Sequence, residues 1–205
     1  MSAGRAGRRQ PITGSAPPLP GRELAAQRWS DVTFLHWRVA SAEVAPLLPR
    51  GVRPDEFDGT SWVGLIPFQL DRATLLGGPV LPHVSSFVEV NVRLYGVDDA
   101  GRRGVAFRSL EASRLPAVLA ARAMFGLRYF WARTSMQREG ATIGYDAERF
   151  GGSGFASAIR IRVGQGIRTG SLAAFLTARW GMFTRVAGRT LWFPNEHEPW
   201  QLHAA

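Results

Sequence analysis

The chain has 205 residues and a formal charge of +9, with 25 basic side chains against 16 acidic ones. Every basic side chain is arginine; lysine and cysteine do not occur. Arginine stays protonated and offers no amine nucleophile, so a side-chain Schiff base is excluded, as are disulfides, thiolate metal sites and iron–sulfur ligation.

Residues 1–22 hold four arginines, no acid and much Gly, Pro and Ser. Such a segment has little apolar surface to offset its ordering entropy, and it is read as a disordered basic tail. Arg8-Arg9 resembles a twin-arginine signal, but Pro11, Pro17, Pro18 and Pro20 occupy the place of the apolar stretch. Residues 23–205 are read as one β-rich domain, since 45% apolar content supports a single core of ordinary size. No apolar run reaches the ~18 residues of a membrane span, and a soluble, cytoplasmic protein is expected.

Phe34–Val39 and Ser61–Gln69 read as strands, with a short helix between them from Ser41, as its cap, to Leu48. Ser85–Tyr95 alternates most clearly. Val88, Val90, Val92 and Leu94 share one face, and Phe87, Glu89, Asn91, Arg93 and Tyr95 share the other. Asp98–Gly101 reads as a turn and Gly104–Ala112 as the returning strand. Ser113 is placed to cap a helix over Leu115–Phe125, which Gly126 ends. Strands follow at Tyr129–Met136, Ala141–Tyr145 and Ala158–Val163. A helix capped by Ser171 over Leu172–Trp180 comes next, then a strand at Arg189–Trp192. The sum is an α+β fold, mainly antiparallel, with a curved, barrel-like sheet.

Several stretches together resemble the YqjF-like family of uncharacterised proteins. They are Trp62-Val-Gly-Leu-Ile-Pro-Phe68, Ser86-Phe-Val-Glu-Val-Asn-Val-Arg-Leu-Tyr95, Gly104-Val-Ala-Phe-Arg-Ser-Leu-Glu111, Ala121-Arg-Ala-Met-Phe-Gly-Leu-Arg-Tyr-Phe130 and His197-Glu-Pro-Trp-Gln-Leu202. That family is distantly similar to acetoacetate decarboxylase, which implies a cone-like barrel with a central cavity. Decarboxylases of that type use a lysine whose pKa a second lysine lowers; they are a standard example of amine activation. At the matching place this chain has Gly126-Leu127-Arg128 followed by Tyr129, so the amine is missing there. The resemblance supports the cavity and removes the lysine chemistry. It also implies that relatives often continue beyond Pro199-Trp200.

The candidate ligand-binding residues are Glu89, Asn91, Arg93, Arg122, Tyr129 and His83; none is assigned a catalytic role. Glu89, Asn91 and Arg93 sit at i, i+2 and i+4 of one strand face. If the apolar face packs under the helices, the polar face lines the lumen, where a carboxylate opposite arginine can hold a polar ligand or act as a base. The other reading is a solvated face with a surface ion pair. Arg122 is read as an anchor for an anion or as the partner of a buried acid such as Glu111. Tyr129 takes the lysine's place as a phenol donor, or packs beside Phe130 and Trp131. His83, after Pro82, is either at a cavity mouth or in an exposed loop. Glu196-His197-Glu198 resembles metal ligands only by composition; no metal and no other cofactor is expected. The leading expectation is therefore a domain that binds a small organic ligand, anionic or carbonyl-bearing. The alternatives are a nucleic-acid-associated basic protein, disfavoured because the arginines are scattered, and a structural or interaction subunit. Homo-oligomerisation is left open.

Overall fold

The computed structural model describes residues 7–21, 23–152 and 154–205; the first six tail positions, Arg22 and Ser153 lie outside that set. Along the chain come β1 (Ala25–Ser30), β2 (Leu35–Val39), α1 (Ser41–Val44) with a 3-10 turn at Ala45–Leu47, β3 (Val52–Pro54), β4 (Ser61–Leu75), β5 (Phe87–Asp98) and β6 (Arg103–Ala112). Then follow α2 (Leu115–Phe125), β7 (Tyr129–Glu139), β8 (Thr142–Arg149), β9 (Ala156–Arg162), α3 (Ser171–Thr177), β10 (Gly181–Val186) and β11 (Arg189–Pro194).

The strands form one 11-stranded sheet with the central order β1-β4-β5-β6-β7-β8-β9. Pairing is antiparallel except where β6 meets β7 and β10. Among the described residues β1 and β9 do not pair, so the sheet is open, and the barrel implied by the resemblance is not a closed one here. Closure requires the two edge strands to meet at a consistent stagger. Here the long strands branch instead. One border of β4 takes β2 along Ser61–Leu65 and β1 along Gln69–Leu75. The far border of β6 takes β10 at Val105–Ala106 and β7 at Leu110–Ala112.

Both faces of β5 are buried, and they divide differently from the sequence expectation. The apolar face does not lie under the helices. Val88 packs with Ile143, Tyr145 and Ile159 of β8 and β9. The face bearing the polar residues is the one the helices cover. Phe87 lies in a cluster with Phe68 and Val118 of α2, and Tyr95 in one with Phe175 and Leu176 of α3. The reason is that α2 and α3 each present enough apolar surface to bury the aromatic ends of this face, leaving Glu89, Asn91 and Arg93 between them.

α2 starts and stops where its sequence predicts, with Gly126 left-handed at φ 61°. None of the three helices uses its expected serine cap. The cap positions are Ala40, Arg114 and Gly170, without a side-chain hydrogen bond. Ser41 instead bonds Glu56 and, at 2.9 Å, Ser61. α3 ends at Thr177 rather than Trp180, and Gly181 opens β10. Residues 7–13, read as tail, run beside the β5–β6 turn. Gly7 N–H donates to Asp99 O and Gln10 N–H to Gly101 O, both at 2.8 Å. Ile12 packs against the cluster of Trp62, Tyr95 and Phe175.

Candidate functional site

The polar face of β5 is built by register. In β4, Phe68, Ile66 and Gly64 stand opposite Glu89, Asn91 and Arg93. In β6, Ala112 and Leu110 stand opposite Glu89 and Asn91. A bulge then inserts Arg108 before the Arg93–Phe107 pair. Such a bulge locally increases twist and re-aims side chains, and here it falls at Arg93. Gly126 turns the chain out of α2, and the short parallel pairing of β7 with β6 sets Tyr129 opposite Leu110, on the same face as Glu89.

At one end of this face the Tyr129 hydroxyl donates to Glu89 Oε2 at 2.7 Å, and Asn91 Nδ2 donates to Glu89 Oε1 at 3.3 Å. Glu89 is 2% exposed and Asn91 is fully buried. Burial raises the Glu89 pKa to about 7, against the pull of the Tyr129 and Asn91 hydrogen bonds; Glu111 adds to the rise. Burial and the facing carboxylate push the Tyr129 phenol well above its ordinary value. Asn91 Oδ1 has no partner among the described residues. The result is a carboxyl group poised between its two protonation states near neutrality, beside a phenol and a spare amide acceptor.

The other end of the face is cationic. Arg93 Nε donates to the Tyr95 hydroxyl at 3.0 Å, and Arg93 Nη2 donates to Leu176 O at 3.0 Å. The guanidinium also lies 5.5 Å over the Phe34 ring. The Tyr95 oxygen stands 2.7 Å from His36 Nε2. Burial first, then the charges of Arg93 and Arg179, lower the His36 pKa to about 3. The imidazole is therefore neutral, and its Nε2 accepts from Tyr95 while Tyr95 accepts from Arg93. Gly64 permits this meeting: a Cβ there would stand 3.1 Å from both His36 Nε2 and the Tyr95 hydroxyl.

Four of the six sequence candidates, Glu89, Asn91, Arg93 and Tyr129, thus come together on one buried face. Arg122 does not join them. It is exposed, and its guanidinium donates from Nε at 2.7 Å to the backbone carbonyl of Tyr129, which fixes the turn. Its suggested partner Glu111 is held by Arg149 instead, through Nε at 3.0 Å and a second contact through Nη2. That pair lies on the opposite face. Burial raises the Glu111 pKa, and Arg149 opposes the rise. His83 is an exposed turn residue with φ 62°. His36 and Tyr95 were not singled out by sequence. Tyr95 was visible on the polar face, but nothing in the sequence joins it to His36, 59 positions away.

The C-terminal segment covers this arrangement. His197 lies tilted between the rings of Trp180 and Trp200 at 4.4 and 4.7 Å, and Trp200 meets Phe34 edge-on at 5.4 Å. Two shallow recesses on the surface lie elsewhere. One is lined by Glu23, Ala26 and Thr74, the other by Arg133, Asp146 and Ser157, and neither reaches Glu89 or Arg93.

A family model described as an uncharacterized conserved protein, DUF2071, matches residues 26–205. The chain belongs to the DUF2071 family. It is 33% identical over 185 residues to the uncharacterized protein YqjF of Bacillus subtilis (strain 168), covering 89% of this chain and 76% of that protein. Among solved structures, this DUF2071 chain is similar to an acetoacetate decarboxylase-like enzyme from Sphingomonas wittichii RW1, with TM-score 0.58 and 18% identity over 84% of this chain and 66% of that one. An acetoacetate decarboxylase gives TM-score 0.57 at 9% identity, over 81% and 61% of the two chains. The enduracididine biosynthesis enzyme MppR, complexed with a condensation product of pyruvate and imidazole 4-carboxaldehyde, gives TM-score 0.57 at 13% identity, over 89% and 71%. The chain thus spans less than two-thirds of the length of the first two structures. At these identities the likeness establishes the acetoacetate-decarboxylase-like fold and no more.

Proposed function

We propose that this DUF2071 chain binds a small organic acid or carbonyl compound against the polar face of β5, without Schiff-base chemistry. The observation that supports this reading is the gathering of Glu89, Asn91, Arg93 and Tyr129 on one buried face between α2 and α3. A purely structural core gains little from such groups, since buried polar and charged side chains repay their desolvation only through good pairing. Arg93 offers a positive charge to an anionic end. Asn91 and the protonated form of Glu89 offer hydrogen bonds to a hydroxyl or carbonyl end. A carboxyl with a pKa of about 7 is suited to exchanging a proton with a bound ligand. No lysine is available to form an imine. Because the face is buried, entry requires one of its covers, α2, α3 or the segment carrying His197 and Trp200, to move.

The experiment is a calorimetric titration of the full chain with pyruvate and with acetoacetate, paired with mass measurement after sodium borohydride treatment. Saturable binding is expected, weakened about tenfold or more in Arg93→Gln, with no reduced adduct on any internal residue. Binding of neither compound, or binding that Arg93→Gln leaves untouched, contradicts the reading.

The nucleic-acid alternative draws no support from the structure: Arg102, Arg133, Arg138 and Arg149 each stand in an ion pair with a carboxylate, of Asp98, Glu148, Asp31 and Glu111 respectively.

A further inference from the structure

A second buried polar cluster lies outside the face of Glu89, where the end of the β5–β6 hairpin meets the loop after α3. Asp55 is fully buried there. Arg179 Nη1 donates to Asp55 Oδ2 at 2.7 Å, and Arg179 Nε donates to Phe175 O at 2.6 Å. Arg103 Nη1 stands 3.4 Å from the same Oδ2, an ion pair without hydrogen-bond geometry. Arg9, from the segment beside the hairpin, reaches within 3.8 Å of Asp55 Oδ1. Three guanidinium groups therefore meet one carboxylate, which leaves two positive charges uncompensated.

The hydrogen bonding is incomplete in a particular way. Arg179 is 4% exposed, yet its Nη2 has no acceptor among the described residues. Arg103 Nε and Nη1 likewise lack acceptors, and Asp55 Oδ1 lacks a donor. Orphaned charged donors in a buried place are unfavourable, and uncompensated guanidinium charge more so. The rings of Tyr95 and Phe175, 4.8 and 4.2 Å from the Arg179 guanidinium, wall one side. The chain beside Gln10 covers another: Gln10 Oε1 accepts from Arg103 N–H at 3.2 Å.

We propose that Arg103, Arg179 and Asp55 form an anion site for the free hydrogen phosphate ion. With Arg9 at the rim of the site, the two charges left over match a dianion. Phosphate oxygens supply the acceptors that three arginine N–H groups lack, in the fork geometry guanidinium favours. The remaining P–OH supplies a donor for Asp55 Oδ1. Sulfate has the same shape and charge but no proton at neutral pH, so it meets the Asp55 carboxylate with repulsion alone. The site adjoins the proposed organic-ligand face through Tyr95 but does not depend on that reading.

The test is a thermal-unfolding titration of the full chain with inorganic phosphate, sulfate and glycerol phosphate at constant ionic strength. A saturable rise of the midpoint with phosphate is expected, with sulfate at least about tenfold weaker. Arg103→Gln is expected to weaken phosphate about tenfold or more. Arg102→Gln, which removes the same charge from the half-buried pair with Asp98, is expected to leave the response unchanged. Asp55→Asn, if it folds, is expected to bring sulfate up to the level of phosphate. Glycerol phosphate, whose dianion carries no P–OH, is expected to act as weakly as sulfate; a response equal to that of phosphate would overturn the role given to the P–OH. Equal responses to phosphate and sulfate in the wild-type chain, a response that never saturates, or one that Arg103→Gln and Arg102→Gln share would each overturn the proposal. The first two readings need no variant, so failure of a variant to fold does not protect it.

Discussion

Glu89 releases its proton near pH 7 in the fold, against 4.5 in water. Between those values the folded state holds a proton that the unfolded chain has lost. Glu89 thus contributes stability that is full below about pH 4.5 and lost as pH rises through about 7, amounting to about 3 kcal/mol. His36 does the reverse. Its pKa falls from 6.5 to about 3, so acidification below 6.5 protonates the unfolded chain first and removes stability. The two slopes oppose each other between 4.5 and 6.5. Denaturant unfolding at about pH 5 and about pH 7.5 separates them. Glu89→Gln is expected to expose the His36 slope, with stability falling more steeply towards acid than in the wild-type chain. His36→Gln is expected to leave a protein that weakens from pH 5 to pH 7.5. Identical pH profiles for all three proteins would show that neither group titrates as described. On the opposite face, Arg149→Leu leaves Glu111 buried without its counter-charge. A loss of about 3–5 kcal/mol is expected by urea unfolding, well beyond the effect of Arg133→Leu at its exposed pair with Glu148.

At the scale of elements, the alternation of β5 and the stop signal at Gly126 were legible in the sequence, because each rests on neighbours in the chain. Gly126 is left-handed, and a Cβ there would collide with the Arg185 carbonyl of β10. Gly126→Ala is expected to destabilise the fold by at least about 1–2 kcal/mol and to disturb the Tyr129 turn with it. A fully stable Gly126→Ala protein would contradict that packing. The serine caps were misjudged since Ser41 finds better partners in Glu56 and Ser61, which only the tertiary fold brings near. Which face of β5 lies under the helices was not legible either. Both faces are buried, and alternation distinguishes two faces without saying what covers each. The short strands β3 and β10 escaped notice because three residues, Val52–Pro54, or a segment opening on glycine, Gly181–Val186, give too little alternation to read.

For the whole molecule, the open sheet is the main departure from a reading based on resemblance. Edge pairing joins residues far apart in sequence, so closure leaves no local trace. The same holds for Asp55 and Arg179, 124 positions apart. Composition suggested a tail without packing, yet Gly7, Gln10 and Ile12 make specific contacts with the β5–β6 turn and the cluster around Phe175. Removing residues 1–13 is expected to lower the thermal midpoint by roughly 5 °C, from the lost burial of Ile12 and the lost backbone bonds; an unchanged midpoint would deny those contacts any weight. The fold that results places a carboxyl, an amide, a phenol and a guanidinium along one buried face of the sheet, and the chain provides no lysine. The most direct test of the ligand proposed for that face is an NMR titration of the arginine Nε–H signals with pyruvate and acetoacetate. Saturable shifts centred on Arg93, abolished when Tyr129→Phe and Glu89→Gln are combined, are the predicted result. Shifts confined to exposed arginines such as Arg133 and Arg160, or no shifts at all, would contradict the account.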